Sequence, residues 1–263
     1  MIILLHSSKT MKRPKPATEP SVPQLLPQTC ELQTYLETLS RADLAKSMQI
    51  SGELAARTHA VISEWSDEPS HQTLAIDSFV GDIYSGLQAQ TLTTADRGYA
   101  QKTLRILSGL YGILRPLDGV MPYRLEMGYR LPDEPYENLY KFWGRSIAET
   151  LPTHGLILNL SAVEYTKTIT PFVNTDRIIA PRFLTVSPKT GEPAFVTVHA
   201  KVARGAFARW VIKNRIEQVD ELVGFNDIGY RYDKKLSTTS EPAFVAEKFG
   251  GIGLSIRLKG NNL

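Results

Sequence analysis

Charged side chains lie among apolar ones between Leu107 and Gly128, and this stretch has the highest density of groups able to bind an anion. It reads LSGLYGILRPLD at 107–118 and PYRLEMG at 122–128, with the charged residues Arg115, Asp118, Arg124 and Glu126. A buried guanidinium or carboxylate must pair or meet a ligand, because leaving it alone costs on the order of several kcal/mol. Two compatible interpretations follow: an arginine–carboxylate network that holds the loop, and the wall of an anion-binding pocket.

A second basic motif, AKVARGAFARW at 200–210, carries Lys201, Arg204 and Arg209 without an acidic residue among them. The apolar spacing predicts a helix that follows a strand, and the free N–H groups at such a helix start attract anions. Gly205 and its alanine neighbours leave room for a close approach to the helix. The alternative is a solvated basic face without a ligand.

The third candidate position follows the apolar start of the chain, where Lys9 and Thr10 come directly after MIILLHSS. Ligand sites in α/β proteins often lie at the carboxyl ends of strands, which favours an anion-binding role for this position. Lys12, Arg13 and Lys15 extend the basic run, and a solvated loop explains them better than it explains Lys9.

The segment at about 40–64 predicts two short helices joined by a tight turn, in the manner of a helix-hairpin-helix element. Such a hairpin directs backbone N–H groups at a nucleic-acid phosphate, so its binding is non-specific and sensitive to salt. The two glycines usual in that turn are missing, and two packed helices without a ligand remain the alternative. The DNA-binding candidates are Lys46, Gln49, Ser51, Gly52 and Arg57.

Familiar catalytic and metal motifs are missing from the sequence. The five histidines show no metal-ligand spacing with one another or with the single Cys30. No GxxxxGK[ST], GxGxxG or GxSxG motif occurs. We therefore predict neither a bound metal nor a cofactor, and the lone cysteine favours a reducing compartment.

The elements that must position these residues divide the chain into two differently patterned halves. We predict strands at 1–5, 156–160, 178–179 and 193–199, and helices around Leu32–Leu39, after Ser40, at 94–107 and at 202–218. Gly109 and Gly112 are expected to close the helix at 94–107. Five prolines between Lys12 and Pro27 predict an extended connector.

Composition limits the class of protein. The chain has 263 residues, 42% of them hydrophobic and 22% charged, with a net charge of +3, which is ordinary for a globular protein and only mildly basic. No apolar run approaches the roughly 20 residues of a membrane span, and we expect a cytoplasmic monomer. The pattern predicts a mixed α/β fold: a single compact domain over 1–263, with a mixed β-sheet core surrounded by helices.

The ordered motifs resemble the YaaA family of bacterial peroxide-stress-resistance proteins over essentially the whole chain. Besides the motifs at 107–118, 122–128 and 200–209, the resemblance rests on LYKFWG at 139–144, NLSAVEY at 159–165 and FNDIGY at 225–230. It implies a compact α/β fold with a helix-hairpin-helix element and a positively charged cleft. It also implies binding to double-stranded DNA and a role in limiting free iron. By position, the residues of the cleft are Lys9, Arg124, Glu126, Lys201 and Arg204.

The chain departs from the family at the end of the first strand. The opening Ser-Pro-Ala-Lys-Thr of the family is His6-Ser7-Ser8-Lys9-Thr10 here, and the Ala-Ser order after Asn-Leu is reversed as Ser161-Ala162. A changed strand end lies where a ligand is expected, which indicates a divergent member.

Three hypotheses stay open at this point. The first is a DNA-binding stress protein that grips phosphates and helps to limit free iron. The second is an enzyme for a small nucleotide-like or phosphorylated substrate, clamped by Lys9, Arg124, Lys201 and Arg204. Its catalytic residues are Glu126 as general acid/base, with Glu164 as second choice, together with Lys9 and Lys201. The third is a scaffold whose charges are structural.

Overall fold

The first apolar segment of the chain becomes the central strand of a five-stranded sheet. The computed structural model describes residues 1–132 and 136–253. Strand β1 (Ile2–His6) pairs with a strand along each edge, and its successive side chains, which point to opposite faces of the sheet, are all buried. A strand covered in this way reads as a continuous apolar run, which is why it could be predicted from the sequence.

The described residues form short strands and helices in alternation. The strands are β1 Ile2–His6, β2 Thr10–Met11, β3 Thr73–Leu74, β4 Phe79–Val80, β5 Leu104–Ser108, β6 Gly112–Leu114, β7 Gly119–Val120, β8 Ile157–Asn159, β9 Ile178–Ile179, β10 Arg182–Val186, β11 Pro193–Ala194, β12 Tyr230–Asp233 and β13 Ala243–Ala246. The α-helices are α1 Leu26–Glu37, α2 Arg41–Met48, α3 Gly52–Ser63, α4 Ala75–Ser78, α5 Asp82–Leu87, α6 Thr94–Thr103, α7 Leu139–Trp143, α8 Ser146–Glu149, α9 Val163–Thr166 and α10 Thr197–Asn214. Short 3-10 helices lie at Pro69–His71, Ala89–Thr91, Thr175–Arg177 and Val219–Gly224.

The strands pair in two larger sheets and two small ribbons. The first sheet has the order β6-β5-β1-β8-β9, in which β6 alone among these strands runs antiparallel. The second has the order β11-β10-β13-β12, and β2–β4 and β3–β7 form the ribbons. The mixed α/β class and the single compact domain are confirmed, but the strands divide among several sheets. The predicted domain range 1–263 includes 133–135 and 254–263, which lie outside the described residues.

The predicted helix at 94–107 is wrong in its last turn. Helix α6 ends at Thr103, and Leu104–Ser108 is strand β5, paired in parallel with β1. The apolar run there fits a helical face and a buried strand equally well, and the long-range pairing with β1 decides between them. Gly112, with φ of 65°, is therefore the first residue of β6, directly after the turn from β5, and does not close a helix.

The predicted strand at 193–199 is also wrong. Within 193–199, pairing with β10 is limited to Pro193–Ala194, and helix α10 begins at Thr197 rather than near residue 202. It ends at Asn214, where residue 218 was predicted. The alternation in FVTV imitates a strand, but the alanine-rich sequence that follows favours the helix, and packing extends it backward.

Helices α5 and α10 lie in backbone contact. A Cβ added to Gly205 would be 1.8 Å from the carbonyl oxygen of Ile83, and one added to Gly86 would be 2.0 Å from that of Val202. The room beside Gly205 is therefore filled by α5, not by a ligand. This packing brings α5 alongside the end of β1. Among the described residues, no helix is both long and apolar enough to cross a membrane.

The segment at 40–64 forms two packed helices with an ordered start. Ser40 caps α2 as predicted: its hydroxyl accepts from the Asp43 amide at 3.2 Å, and the Asp43 carboxylate accepts from the Ser40 amide at 3.0 Å. Gln49 adopts a left-handed conformation with φ of 51° and turns the chain into α3. Leu44 and Ala55 are fully buried, so the hairpin packs on the body of the protein.

Candidate functional site

A cavity of about 390 Å³ opens at the carboxyl ends of β1 and β8. From β1 the chain proceeds to β5 on one side of the sheet, whereas β8 is followed by β9 on the other side. Such a reversal of direction leaves a crevice beyond the strand ends, where α/β proteins usually bind ligands. We call this the β1–β8 cavity; it is lined by residues 6–10 and 80–84, with Glu126, Ala162, Glu164, Tyr165 and Lys201.

His6, the last residue of β1, is held in one orientation at this cavity. Its Nδ1 accepts a hydrogen bond from the Ala162 amide at 3.1 Å, and its ring stacks on Tyr165 with centroids 4.8 Å apart. Burial, followed by the positive charges of Arg204 and Lys201, lowers the pKa of His6 from 6.5 to about 3. The imidazole is therefore neutral near pH 7, and because Nδ1 accepts, its proton resides on Nε2.

Hydroxyl groups surround the end of β1. The Tyr84 hydroxyl donates to the His6 carbonyl at 3.0 Å, and Ser7 Oγ donates to the Tyr165 hydroxyl at 3.4 Å. Ser8 Oγ donates to the carbonyl of Val80, which ties this segment to the start of α5. Burial is the main cause that raises the pKa of Tyr165 and of Tyr84, so both phenols keep their protons at neutral pH.

Lys9 and Glu126 form an ion pair at the cavity. Their charged atoms are 2.8 Å apart, and the Lys9 side chain is half exposed. Burial, the charge of Glu126 and a hydrogen bond to that carboxylate raise the pKa of the neighbouring Tyr129 to about 12. The loop at 122–128 is thus joined to the end of the first strand by a contact between distant parts of the chain.

Glu164 contributes a second carboxylate that already has a donor. Its Oε1 accepts from the Gly128 amide at 2.7 Å, and the Tyr140 hydroxyl donates to its backbone carbonyl at 2.9 Å. These contacts connect α9 to the loop at 122–128 and to α7. Glu164 is therefore held in place at the cavity wall.

Lys201 and Arg204 lie three residues apart on α10, on the same side of the helix. Within residues 1–132 and 136–253, neither has a carboxylate within ion-pair distance. Burial lowers the pKa of Arg204, and both positive charges act on His6. Arg124 also has a buried Nε without a hydrogen-bond partner in the described structure.

Of the eight predicted anion-binding residues, four line the cavity, Arg204 acts on His6 beside it, and Arg115, Arg124 and Arg209 are not among the lining residues. Lys9, Thr10, Glu126 and Lys201 line the β1–β8 cavity, and Arg204 is near enough to act on His6. Arg115 instead pairs with the buried Asp118 at 2.8 Å, and Arg209 pairs with Asp227 at 2.8 Å.

Neither Arg115 nor Arg209 lines this cavity. The sequence did not reveal these two ion pairs. Asp227 is distant from Arg209 along the chain, and the presence of Asp118 near Arg115 agreed equally well with an arginine–carboxylate network and with the wall of an anion-binding pocket.

The predicted DNA-binding residues of the hairpin are all exposed. Ser51 uses its hydroxyl to cap α3, accepting from the Leu54 amide at 3.3 Å, and Arg57 pairs with Glu53 at 2.5 Å. Gly52 has open space around it, with no atom within 4 Å of an added Cβ. Lys46 and Gln49 complete the exposed set.

Sequence reasoning missed the contribution of α5 to the cavity. Asp82 and Tyr84 line it although α5 is too short for a periodic pattern, and its position depends on the packing of Gly86 and Gly205. The side chains of His, Cys, Asp and Glu in the described residues form no group of three that could hold a metal ion.

Comparison with known proteins identifies the family. A family model described as Peroxide stress protein YaaA matches residues 1–236. The chain is 58% identical over 258 residues to a UPF0246 protein of Salinispora tropica, covering 98% of both chains. It is 42% identical over 231 residues to a UPF0246 protein of Marinomonas sp. strain MWYL1, covering 86% of this chain and 88% of the relative.

A third relative, a UPF0246 protein of Shewanella halifaxensis, is 38% identical over 257 residues, covering 94% of this chain and 99% of the relative. Each of these similarities extends over most of both proteins, in agreement with the motifs described above. The chain therefore belongs to the YaaA family of peroxide stress proteins.

Proposed function

We propose that this peroxide stress protein binds double-stranded DNA without sequence preference, through the phosphate backbone. The observation that carries the proposal is the exposed turn between α2 and α3. There a Cβ added to Gly52 would meet no atom within 4 Å, so the start of a twelve-residue helix is open; Ser51 caps the Leu54 amide, and the amides offered to a phosphate are those of Gly52 and Glu53. Free N–H groups at a helix start bind phosphate oxygens, and they read no base.

The hairpin alone is a weak electrostatic partner for DNA. Over 40–64 the cations Arg41, Lys46 and Arg57 are balanced by Asp43, Glu53 and Glu64. In this proposal further phosphate contacts come from the basic side of the cleft, with Lys201 and Arg204, which lack carboxylate partners among the described residues. Each phosphate contact should steepen the dependence of log affinity on log salt by roughly 0.9.

The test is a titration of a short DNA duplex over a series of KCl concentrations, followed by fluorescence anisotropy. Gly52→Asp adds a carboxylate at the start of α3, where the helix dipole tolerates it but a phosphate is repelled. Gly98→Asp is the matched control, because Gly98 is also exposed and open but lies in α6. We expect about tenfold weaker binding for Gly52→Asp than for Gly98→Asp. Equal affinities, or binding that ignores salt, would contradict the proposal.

We also propose that the protein helps to limit free iron during peroxide stress, which its family membership supports. The test measures chelatable iron by electron paramagnetic resonance in cells that lack the protein and are exposed to hydrogen peroxide. Wild-type protein should lower the iron signal. If Gly52→Asp lowers it equally, the iron effect is independent of the hairpin.

A second candidate function is supported by the Lys9–Glu126 pair beside Lys201 in the β1–β8 cavity. In this alternative the cavity binds a small nucleotide-like or phosphorylated substrate, and Glu126 transfers a proton as general acid or base. A thermal-shift screen with nucleotides and phosphorylated metabolites identifies ligands of the native state. For any ligand that is turned over, Glu126→Gln should abolish turnover and preserve the fold; unchanged turnover would contradict that role.

A further inference from the structure

We propose that His6 and Lys201 form an oxyanion-binding pocket in the β1–β8 cavity, in which the neutral imidazole of His6 donates from Nε2 to a small phosphate ester or carboxylate. Arg204 adds the charge of its guanidinium, which has no carboxylate partner within residues 1–132 and 136–253. The inference rests on the small-ligand alternative given above, but it requires no turnover and no DNA. It assigns to His6, the first of the three residues at which this chain departs from the family's opening motif, a role in choosing the ligand.

The orientation of the imidazole is the first argument. The Ala162 amide occupies Nδ1, Tyr165 stacks on the ring, and Tyr84 holds the backbone carbonyl, so the ring has little freedom to turn. The proton must then be on Nε2, and no acceptor in the described residues is bonded to that atom. His6 lines the cavity, so its N–H is available to a ligand.

The charge balance is the second argument. Each carboxylate in the cavity wall is already engaged: Glu126 by Lys9, Glu164 by the Gly128 amide, and Asp82 by a further contact. Lys201 has no such partner among the described residues, and its charge together with that of Arg204 depresses protonation of His6. The charges that act on the imidazole are therefore those of two cations, and this end of the cavity attracts an anion.

The size and walls of the cavity are the third argument. A volume of about 390 Å³ falls within the range of small-molecule sites, which is roughly 300–1,000 Å³. Val80, Ile83 and Tyr84 supply apolar and aromatic surface beside the polar end. A metabolite with one anionic group and a compact body fits this arrangement.

The test uses two isosteres of histidine in the full chain. In His6→Asn the amide oxygen replaces Nδ1 and keeps the acceptor for Ala162, but the Nε2 donor is lost. In His6→Gln the amide nitrogen reaches the place of Nε2 and keeps the donor. Lys201→Met removes the cation, and Lys213→Met is its control, because Lys213 is an exposed lysine on the same helix.

Binding of inorganic phosphate, adenosine 5′-monophosphate and acetate is measured by calorimetry at constant ionic strength. We expect His6→Asn and Lys201→Met each to weaken binding about tenfold, as for loss of a hydrogen bond to a charged group. His6→Gln and Lys213→Met should stay within about threefold of wild type. Tighter binding of the phosphates identifies a phosphate ester as ligand, and tighter binding of acetate identifies a carboxylate.

Three results would overturn the inference. They are unchanged affinity in folded His6→Asn, equal losses in Lys201→Met and Lys213→Met, or no binding of any probe beyond the effect of chloride. If His6→Asn does not fold, His6→Gln and the two lysine variants still decide the matter. If His6→Asn and Lys201→Met lose anion binding but the wild-type protein turns over none of the ligands, the result supports the pocket and counts against the enzyme alternative. DNA binding by His6→Asn reports separately on the hairpin.

Discussion

Arg115 and Arg204 are both partly buried arginines in dense motifs, but among the described residues Arg115 has a carboxylate partner and Arg204 has none. Asp118 is fully buried and accepts from the backbone amide, Nε and Nη2 of Arg115 at 2.7–3.0 Å, and from Ser21 at 2.7 Å. Arg204, by contrast, is desolvated without a carboxylate partner in the described structure. A buried cation that is paired with a carboxylate is compatible with a stable fold. A buried cation without a carboxylate lowers stability, and it is expected at a site where a bound anion supplies the missing partner.

The largest effect should come from breaking the compensated pair. Asp118→Asn leaves the Arg115 guanidinium without its counter-charge, and we expect the free energy of unfolding to fall by about 3 kcal/mol. Urea denaturation measures this change. The control is Glu149→Gln in the exposed Arg145–Glu149 pair, at 3.3 Å, where we expect less than about 0.5 kcal/mol. Equal losses in the two variants would remove the distinction between the regions.

The second prediction concerns the pH dependence of stability that His6, in the β1–β8 cavity beside Arg204, should cause. Because the pKa of His6 is lowered from 6.5 to about 3, the unfolded chain binds a proton in this interval and the folded protein does not. Stability should therefore fall as the pH drops from about 6.5 towards 3, by about 3 kcal/mol at pH 4 from this group. His6→Asn cannot titrate and should lose correspondingly less. Parallel stability profiles for the two proteins in urea would contradict this.

The third prediction separates Arg204 from Arg115 directly. Arg204→Met removes an uncompensated cation, so stability should change by less than about 1 kcal/mol and the pKa of His6 should rise. Titration of the His6 ring by NMR measures that rise. Arg115→Met is the matched substitution; it strands the buried Asp118 and should cost about 3 kcal/mol. A larger loss from Arg204→Met than from Arg115→Met would show that Arg204 has a structural role.

The smallest effect is expected at the hairpin, where charges are paired but exposed. Glu53 and Arg57 are each about three-quarters exposed, so Arg57→Ala should change stability by about 0.5 kcal/mol or less. Glu53→Ala frees Arg57 and is the informative partner variant. If Arg57 contacts DNA, Glu53→Ala should tighten binding while Arg57→Ala weakens it, as measured by anisotropy at low salt.

Local sequence predicts well those parts of the fold whose conformation depends only on the residues of a single element. Strands β1, β8 and β9 appear as short apolar runs, and the cap at Ser40 follows from its own hydroxyl and the carboxylate of Asp43. Strand β5 was misassigned as helix because its apolar run fits both periods, and its pairing with β1 joins residues about a hundred positions apart. Local propensity contains no information about that partner.

The candidate site divides in the same way. Lys9, Glu126 and Lys201 were singled out by residue type and by the family motifs, and they do lie around one cavity. Arg115 and Arg209 carried similar signals but are paired elsewhere. Charge type shows which residues can bind an anion, but only the positions of neighbouring carboxylates show which of them remain free to do so.

By itself, the sequence determined the α/β class, the family and the chemical character of the motifs, since these depend on composition and local order. Tertiary structure decided that β1 and β8 adjoin, that α5 reaches the cavity through its backbone contact with α10, and that Lys9 meets Glu126. The physical reason is the short range of the interactions that build the site. An ion pair or a hydrogen bond forms only within a few ångströms, and sheet order sets which distant residues come that close.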